Sequence, residues 1–239
     1  MYKHKITYFL FFFSFSLLSS QIINFKSNIQ IIYNLKYKSN LRENKFDNDI
    51  VCLYLGDKRS IFQNENKFKI DSIIANQKII QLPAGPMFKV NHVIFKDFDK
   101  GEMIFSELID KINIGYMESI PIMEWKLIDE KKQILGYNCQ KAETTFRGRN
   151  YTAWYTNEIG ISDGPYKFSG LPGLILEVFD NDNNFHYSLL QIISKDKNVI
   201  FNKSVKYIDR KKMQQIKINN LIKNSNTNST LTINPIEKN

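Results

Sequence analysis

Ile29-Gln30-Ile31-Ile32-Tyr33-Asn34-Leu35-Lys36-Tyr37 sets Ile29, Ile31, Tyr33, Leu35 and Tyr37 at every second residue. Side chains of a strand alternate between two faces, so this spacing turns one apolar face toward a core and leaves the other half-solvated. A polar run, residues 38–49, then turns the chain into a second apolar segment at 50–55. Further strands are predicted at 104–109, 112–117 and 122–128, with Pro121 between the last two. The charged run Asp129-Glu130-Lys131-Lys132 separates them from the next apolar stretch. Residues 70–93 are less decisive, with a loop marked by Pro83, Gly85 and Pro86.

Two hairpins are legible downstream. Residues 137–146 and 150–155 flank Arg147-Gly148-Arg149, whose glycine accepts positive φ, and residues 174–179 and 185–193 flank Asp180-Asn181-Asp182-Asn183-Asn184. The clearest helix signal is Asp209 as N-cap ahead of Met213, Ile216, Leu221 and Ile222. The fold expected is mainly β: a single domain over residues 21–223, built as a curved antiparallel sheet or partial barrel with a short C-terminal helix. Residues 224–239 are polar and without period, and disorder is expected there.

Of 239 residues, 43% are hydrophobic and 13% aromatic, enough apolar surface to offset chain entropy and to exclude a disordered chain. The start of the chain reads as an address. Lys3 and Lys5 precede an apolar block from Tyr8 to Leu18 that ends in Ser19-Ser20, the pattern of a secretion signal over residues 1–20. Ser14 and Ser16 interrupt that block well short of the ~20 apolar residues that cross a bilayer, so no transmembrane helix is expected in the mature form. Export to the periplasm or to the outer-membrane side of a Gram-negative envelope is the resulting expectation.

In an oxidising compartment Cys52 and Cys139, the two cysteines of the chain, are candidates to pair. A bridge closing so long a loop would contribute roughly 4–5 kcal/mol. Two separate buried thiols acting as small hydrophobes is the alternative. The formal charge of +9 is concentrated near the C-terminus, around Arg210-Lys211-Lys212. These three residues suit peripheral contact with an anionic membrane surface or an acidic partner, against the plainer reading of a solvated basic face. No nucleic-acid recognition motif is present, and nucleic acid is not an expected partner.

No catalytic constellation stands out. His92 and His186 show no two-histidine helical spacing, so neither a metal centre nor a cofactor is expected. Ser60, Ser162 and Ser169 lie in no Gly-x-Ser-x-Gly elbow, and both cysteines sit in apolar runs rather than beside a cation. The expectation is a protein that is not an enzyme; hydrolysis is the third-ranked reading, requiring acids clustered with a histidine.

Glycine and proline crowd into residues 160–173, with Gly160, Gly164, Gly170 and Gly173 beside Pro165 and Pro172. Such a loop has a fixed, irregular backbone. Its apolar exit either plugs the sheet's core or lines the mouth of a groove. The candidate binding residues are Trp154, Tyr166, Phe168, Gly170, Leu171, Pro172, Gly173 and Leu174. Trp125, Tyr151 and Tyr155 are candidates for an aromatic wall beside Trp154, although large aromatics on strands are more often core.

Gly164-Pro165-Tyr166-Lys167-Phe168-Ser169-Gly170-Leu171-Pro172-Gly173-Leu174-Ile175-Leu176-Glu177 resembles the signature of the GLPGLI family, exported proteins of Bacteroidota without an assigned activity. Gly136-Tyr137-Asn138-Cys139-Gln140-Lys141-Ala142, Phe146-Arg147-Gly148-Arg149 and Ser60-Ile61-Phe62 are also similar to that family's earlier blocks. The resemblance implies an envelope location and brings no catalytic residues. Strand order is further similar to the open half-barrels of periplasmic lipoprotein carriers. The leading expectation is therefore non-catalytic binding of an apolar or polypeptide ligand in the cell envelope. The alternative is an accessory protein of outer-membrane machinery that docks through the basic C-terminal segment.

Overall fold

The computed structural model describes residues 22–38, 45–66, 90–202, 204–224 and 236–237. The expected leader at 1–20 lies outside them, as does most of the 224–239 tail.

The alternating segment from Ile29 to Tyr37 lies within β1 (Ile22–Tyr37), a mid-sheet strand paired on both sides. One side continues as an antiparallel meander through β2 (Asp47–Gly56), β3 (Arg59–Asn64), β4 (His92–Asp97), β5 (Glu102–Ile109) and β6 (Ile112–Ser119). The other side begins with the last long strand, β11 (Phe185–Asn202), and runs back through β10 (Leu174–Asp180), β9 (Arg149–Thr156), β8 (Tyr137–Phe146) and β7 (Lys126–Ile134). A two-residue strand, β12 (Lys206–Tyr207), adds to β6 in parallel. The order β12-β6-β5-β4-β3-β2-β1-β11-β10-β9-β8-β7 does not close. The fold is mainly β, one open and almost wholly antiparallel sheet, with the short helix α1 (Arg210–Asn224) near the C-terminus.

Local chemistry accounts for the joints. In the β8–β9 turn Arg147 and Gly148 both take positive φ, 45° and 78°, the geometry whose twist matches that of flanking strands. Asp180 closes the β10–β11 turn by accepting from the Phe185 amide at 2.7 Å and pairing with Arg149 at 2.9 Å, both side chains fully buried. Asp209 caps α1 as expected, accepting from the Lys211 amide at 2.8 Å, and Met213 carries the helix into the core.

The strand expected at 122–128 and the break expected at 129–132 require correction. β7 starts at Lys126 and runs through the charged residues. It is an edge strand, and charge on an edge stays in water while discouraging pairing with another chain. The indecisive stretch at 70–93 lies mostly outside the described residues; its end enters β4, a strand not predicted from the sequence.

The sheet curls around its inner face, where Tyr33, Leu53, Phe62, Phe105, Ala153 and Tyr187 join one apolar cluster. A smaller cluster forms on the outer face. β1 and β11 change register between Ser27 and Ile29, and beyond that irregularity their paired ends lie over the back of the sheet. Phe25 and Phe201 of this arm meet Phe95 of β4, with ring centroids 6.4 and 5.0 Å apart. Cys52 lies in this outer cluster, whereas Cys139 is on β8 with β1, β11, β10 and β9 between. Both are free, buried thiols, so the disulfide reading is replaced by its alternative. Burial pushes each thiol up to about 11, where it is protonated and unreactive.

Candidate functional site

The 160–173 loop fills the inner face. Tyr166, Phe168, Leu171 and Leu174 are buried, and Phe168 packs edge-on to Tyr151 at 4.7 Å. Trp125 ties the loop down by donating to the Ser169 carbonyl at 2.8 Å. A Cβ on Gly173 would come within 2.0 Å of the Thr156 carbonyl oxygen, so the loop's exit lies directly against β9. Of the candidate binding residues in the loop, only Gly170 and Pro172 face solvent. The loop is a plug, and the groove-mouth reading is corrected: an irregular backbone carrying this many apolar side chains gains more by burying them in the curl than by exposing them. The aromatic wall separates for a related reason. Alternation on β9 sends Tyr151 and Tyr155 inward, while Trp154 points outward beneath the Lys132 ammonium, 4.4 Å from its ring.

The plug carries charge into the core. Lys96 of β4 and Asp163 pair at 2.5 Å with neither side chain exposed. Asp163 also accepts from the Gly164 amide at 2.8 Å. Lys167, equally buried, donates to the Tyr116 hydroxyl at 2.6 Å and pairs with Glu118 and Glu237 at 3.3 and 2.5 Å. Burial drives the Lys167 pKa below its ordinary value despite these carboxylates. Burial alone would raise Glu237, but Lys167 and Arg147 outweigh it and hold the carboxyl at about 2. Ile236 and Glu237 thus pack against the domain, although they belong to the segment expected to be disordered.

His92 stands beside this network, with its ring between Phe62 and Phe105 and edge-on to Tyr166. Burial first, and then the positive charges of Lys217 and Lys167, push its pKa down to about 3. The group is therefore neutral when folded, while the unfolded chain takes up a proton near pH 6.5. Stability is expected to fall as pH drops from about 6.5 toward 3, and His92→Phe to flatten that slope in thermal melts across the range. An unchanged slope would refute the assignment.

His186 helps to form a cleft on the outer face. Glu177 of β10, His186 of β11 and Lys132 of β7 converge there. Glu177 lies 2.7 Å from the His186 ring and is ion-paired to Lys132. Burial would raise the Glu177 pKa, but the hydrogen bonds from His186 and Lys132 outweigh it and leave the carboxyl below its usual range. Phe179 stands edge-on to His186 at 5.2 Å. Asn181 and Asn183 of the hairpin turn complete a cleft of about 400 Å³, a volume in the range of small-ligand sites. All its members but Lys132 come from the β10–β11 hairpin, and Glu177 reads in sequence only as one residue within the first strand of that hairpin. Its hydroxyl-matching groups and its aromatic edge equip it to hold a polar ligand having an apolar side.

Among the described residues, no group of three or more His, Cys, Asp or Glu side chains is placed to hold a metal ion. No helix among them is long and apolar enough to cross a membrane. Arg210 and Lys217 of the basic segment are turned to Glu237 and Glu107, at 3.3 and 2.5 Å, whereas Lys211 and Lys212 are exposed.

An open sheet curled around a charged plug, with a polar cleft on its back, defines a class of β-rich domain. Residues 44–216 match the family described as N-glycanase peptide, N-terminal domain, and the chain belongs to that family. Solved structures of PNGF-II in P21 and C2 crystal forms share its fold. The first, at TM-score 0.55 and 18% identity, covers 81% of this chain and 34% of the PNGF-II chain. The second, at the same score and identity, covers 80% and 33%. The chain thus spans about a third of the length of the PNGF-II chains. No curated protein matches. The GLPGLI resemblance is corrected by these findings: the family match extends over most of the domain, whereas the signature is one short loop whose glycines answer to local packing.

Proposed function

We propose that the chain is a non-catalytic binding module that holds glycan-bearing polypeptide in the outer-face cleft. The observation that carries this reading is the convergence of Glu177, His186 and Lys132 beside Phe179. Carboxylate, imidazole and ammonium can hydrogen-bond sugar hydroxyls, while the ring offers an apolar edge to a sugar face. Membership of an N-glycanase N-terminal family supports a glycan as the ligand. The leader-like residues 1–20 support action outside the cytosol, and the exposed Lys211 and Lys212 suit a salt-sensitive attraction to anionic surfaces.

Calorimetric titration of the protein with an N-linked glycopeptide, and with the same peptide lacking its sugar, tests this. The glycosylated peptide is expected to bind more tightly. Glu177→Gln is expected to weaken it about tenfold, the effect of losing one charge-assisted hydrogen bond. Equal affinity for both peptides, or an unaffected Glu177→Gln variant, would refute the reading.

A further inference from the structure

Glu237 occupies a pocket whose walls all come from other parts of the chain. Its carboxylate accepts from the Tyr166 hydroxyl at 2.7 Å and from Arg147 at 2.6 Å, pairs with Lys167 at 2.5 Å and meets Arg210 at 3.3 Å. One residue earlier, the Ile236 carbonyl accepts from the Tyr151 hydroxyl at 2.9 Å, and the Ile236 side chain packs on the main core. These groups come from the plug, β9, the β8–β9 turn and the first residue of α1.

Two of the pocket's cations also have holders besides its occupant. Glu118 fixes the Arg147 guanidinium through two contacts at 2.9 and 2.8 Å, and Tyr116 receives a hydrogen bond from Lys167 at 2.6 Å. Without Glu237, Arg147 and Lys167 would share the single carboxylate of Glu118. Lys167, with no exposed side-chain surface, would then be under-compensated, and a buried charge in that condition is strongly unfavourable. The walls therefore demand an anion. What they contact is a carboxylate and a main-chain carbonyl one residue before it, next to an apolar side chain: features that belong to a peptide and not to a free ion.

We propose that this pocket is a receptor for acidic peptide, in which Ile236-Glu237 is the resident ligand and an apolar-Glu segment of a partner protein can replace it. It lies on the inner side of the curl, on the face opposite Glu177, so either site can fail without the other. Because the resident segment is tethered, its effective concentration is in the millimolar range, and a free peptide competes poorly with it. Glu237→Lys places like charge among Arg147, Lys167 and Arg210 and expels the segment.

The test is fluorescence anisotropy of a labelled Asn-Pro-Ile-Glu-Lys-Asn peptide with the full-length protein. Glu237→Lys is expected to bind it at least tenfold more tightly than the unaltered chain. The same peptide with Gln for Glu is expected not to bind, and adding Arg210→Ala to weaken the interaction severalfold. Glu237→Gln, which keeps the size of the side chain, serves should the lysine variant fail to fold, and is expected to bind the peptide in the same order. Folded variants that bind no better than the unaltered protein would overturn the proposal. So would displacement of the labelled peptide by free glucuronate at the concentrations at which unlabelled peptide displaces it, since the pocket would then be reading any carboxylate.

Discussion

Asp163→Ala is expected to destabilise the fold by about 3–5 kcal/mol, the usual cost of stripping one partner from a buried ion pair. Asp163 and Lys96 are both without exposed side-chain surface, and their contact is 2.5 Å. With the carboxylate gone, the Lys96 ammonium retains the Phe168 carbonyl, 3.5 Å away, as an acceptor. The lysine must then lose its proton, draw in water or break the β4 ladder. Asp163→Asn, which keeps the shape and an acceptor oxygen, is expected to cost less. The double variant Lys96→Met with Asp163→Leu is expected to be near neutral, because it removes both desolvation penalties together. Urea unfolding followed by tryptophan fluorescence measures all three. A single alanine variant within about 1 kcal/mol of the original would show that the pair is hydrated and the plug is loosely held.

Phe168→Ala is expected to be comparably damaging, at about 3–5 kcal/mol, or roughly 6–20 °C in melting temperature. The ring has no exposure and is enclosed by Phe146, Tyr151 and Tyr166, at centroid distances of 6.1, 4.7 and 6.2 Å. Its removal leaves a cavity lined by rigid rings that relax little. Pro172→Ala, a few residues on but exposed, is expected to stay within about 0.5 kcal/mol. The contrast discriminates between plug and groove mouth: a Phe168 that lined an open groove would cost little stability when truncated.

The sequence carries the architecture where side-chain period and turn chemistry act locally. β1 announces itself by alternation, the two hairpins by their turn residues and α1 by Asp209. The features it conceals depend on distant partners. β4 is not predicted, and the aspartate that makes its buried Lys96 acceptable lies 67 residues away. Charges on β7 look like a linker until the strand is seen to form an edge. Glu237 sits in a polar tail, and nothing in that tail signals a pocket whose basic groups, Arg147, Lys167 and Arg210, come from three other places. The outer cleft is likewise a product of pairing register: Phe179 meets His186 only because β10 and β11 align them. The Gly-Pro loop is legible as a shaped corner, but its shape comes from packing against β9 and does not by itself mark a family.

The position of β1 has a bearing on how the chain is made. Strands β1 to β6 and β7 to β11 each form a run of successive neighbours, and the seam between them joins the first strand of one to the last strand of the other. On a ribosome that delivers the N-terminal side first, β1 presents an unsatisfied ladder until β11 emerges, long after β2 has docked on its opposite side. Closure of that seam requires contacts of very high sequence separation and is therefore slow relative to the hairpins on either side. The strand order therefore leads to the expectation that a half-sheet open at β1 is the form of the nascent chain most in need of protection from its neighbours.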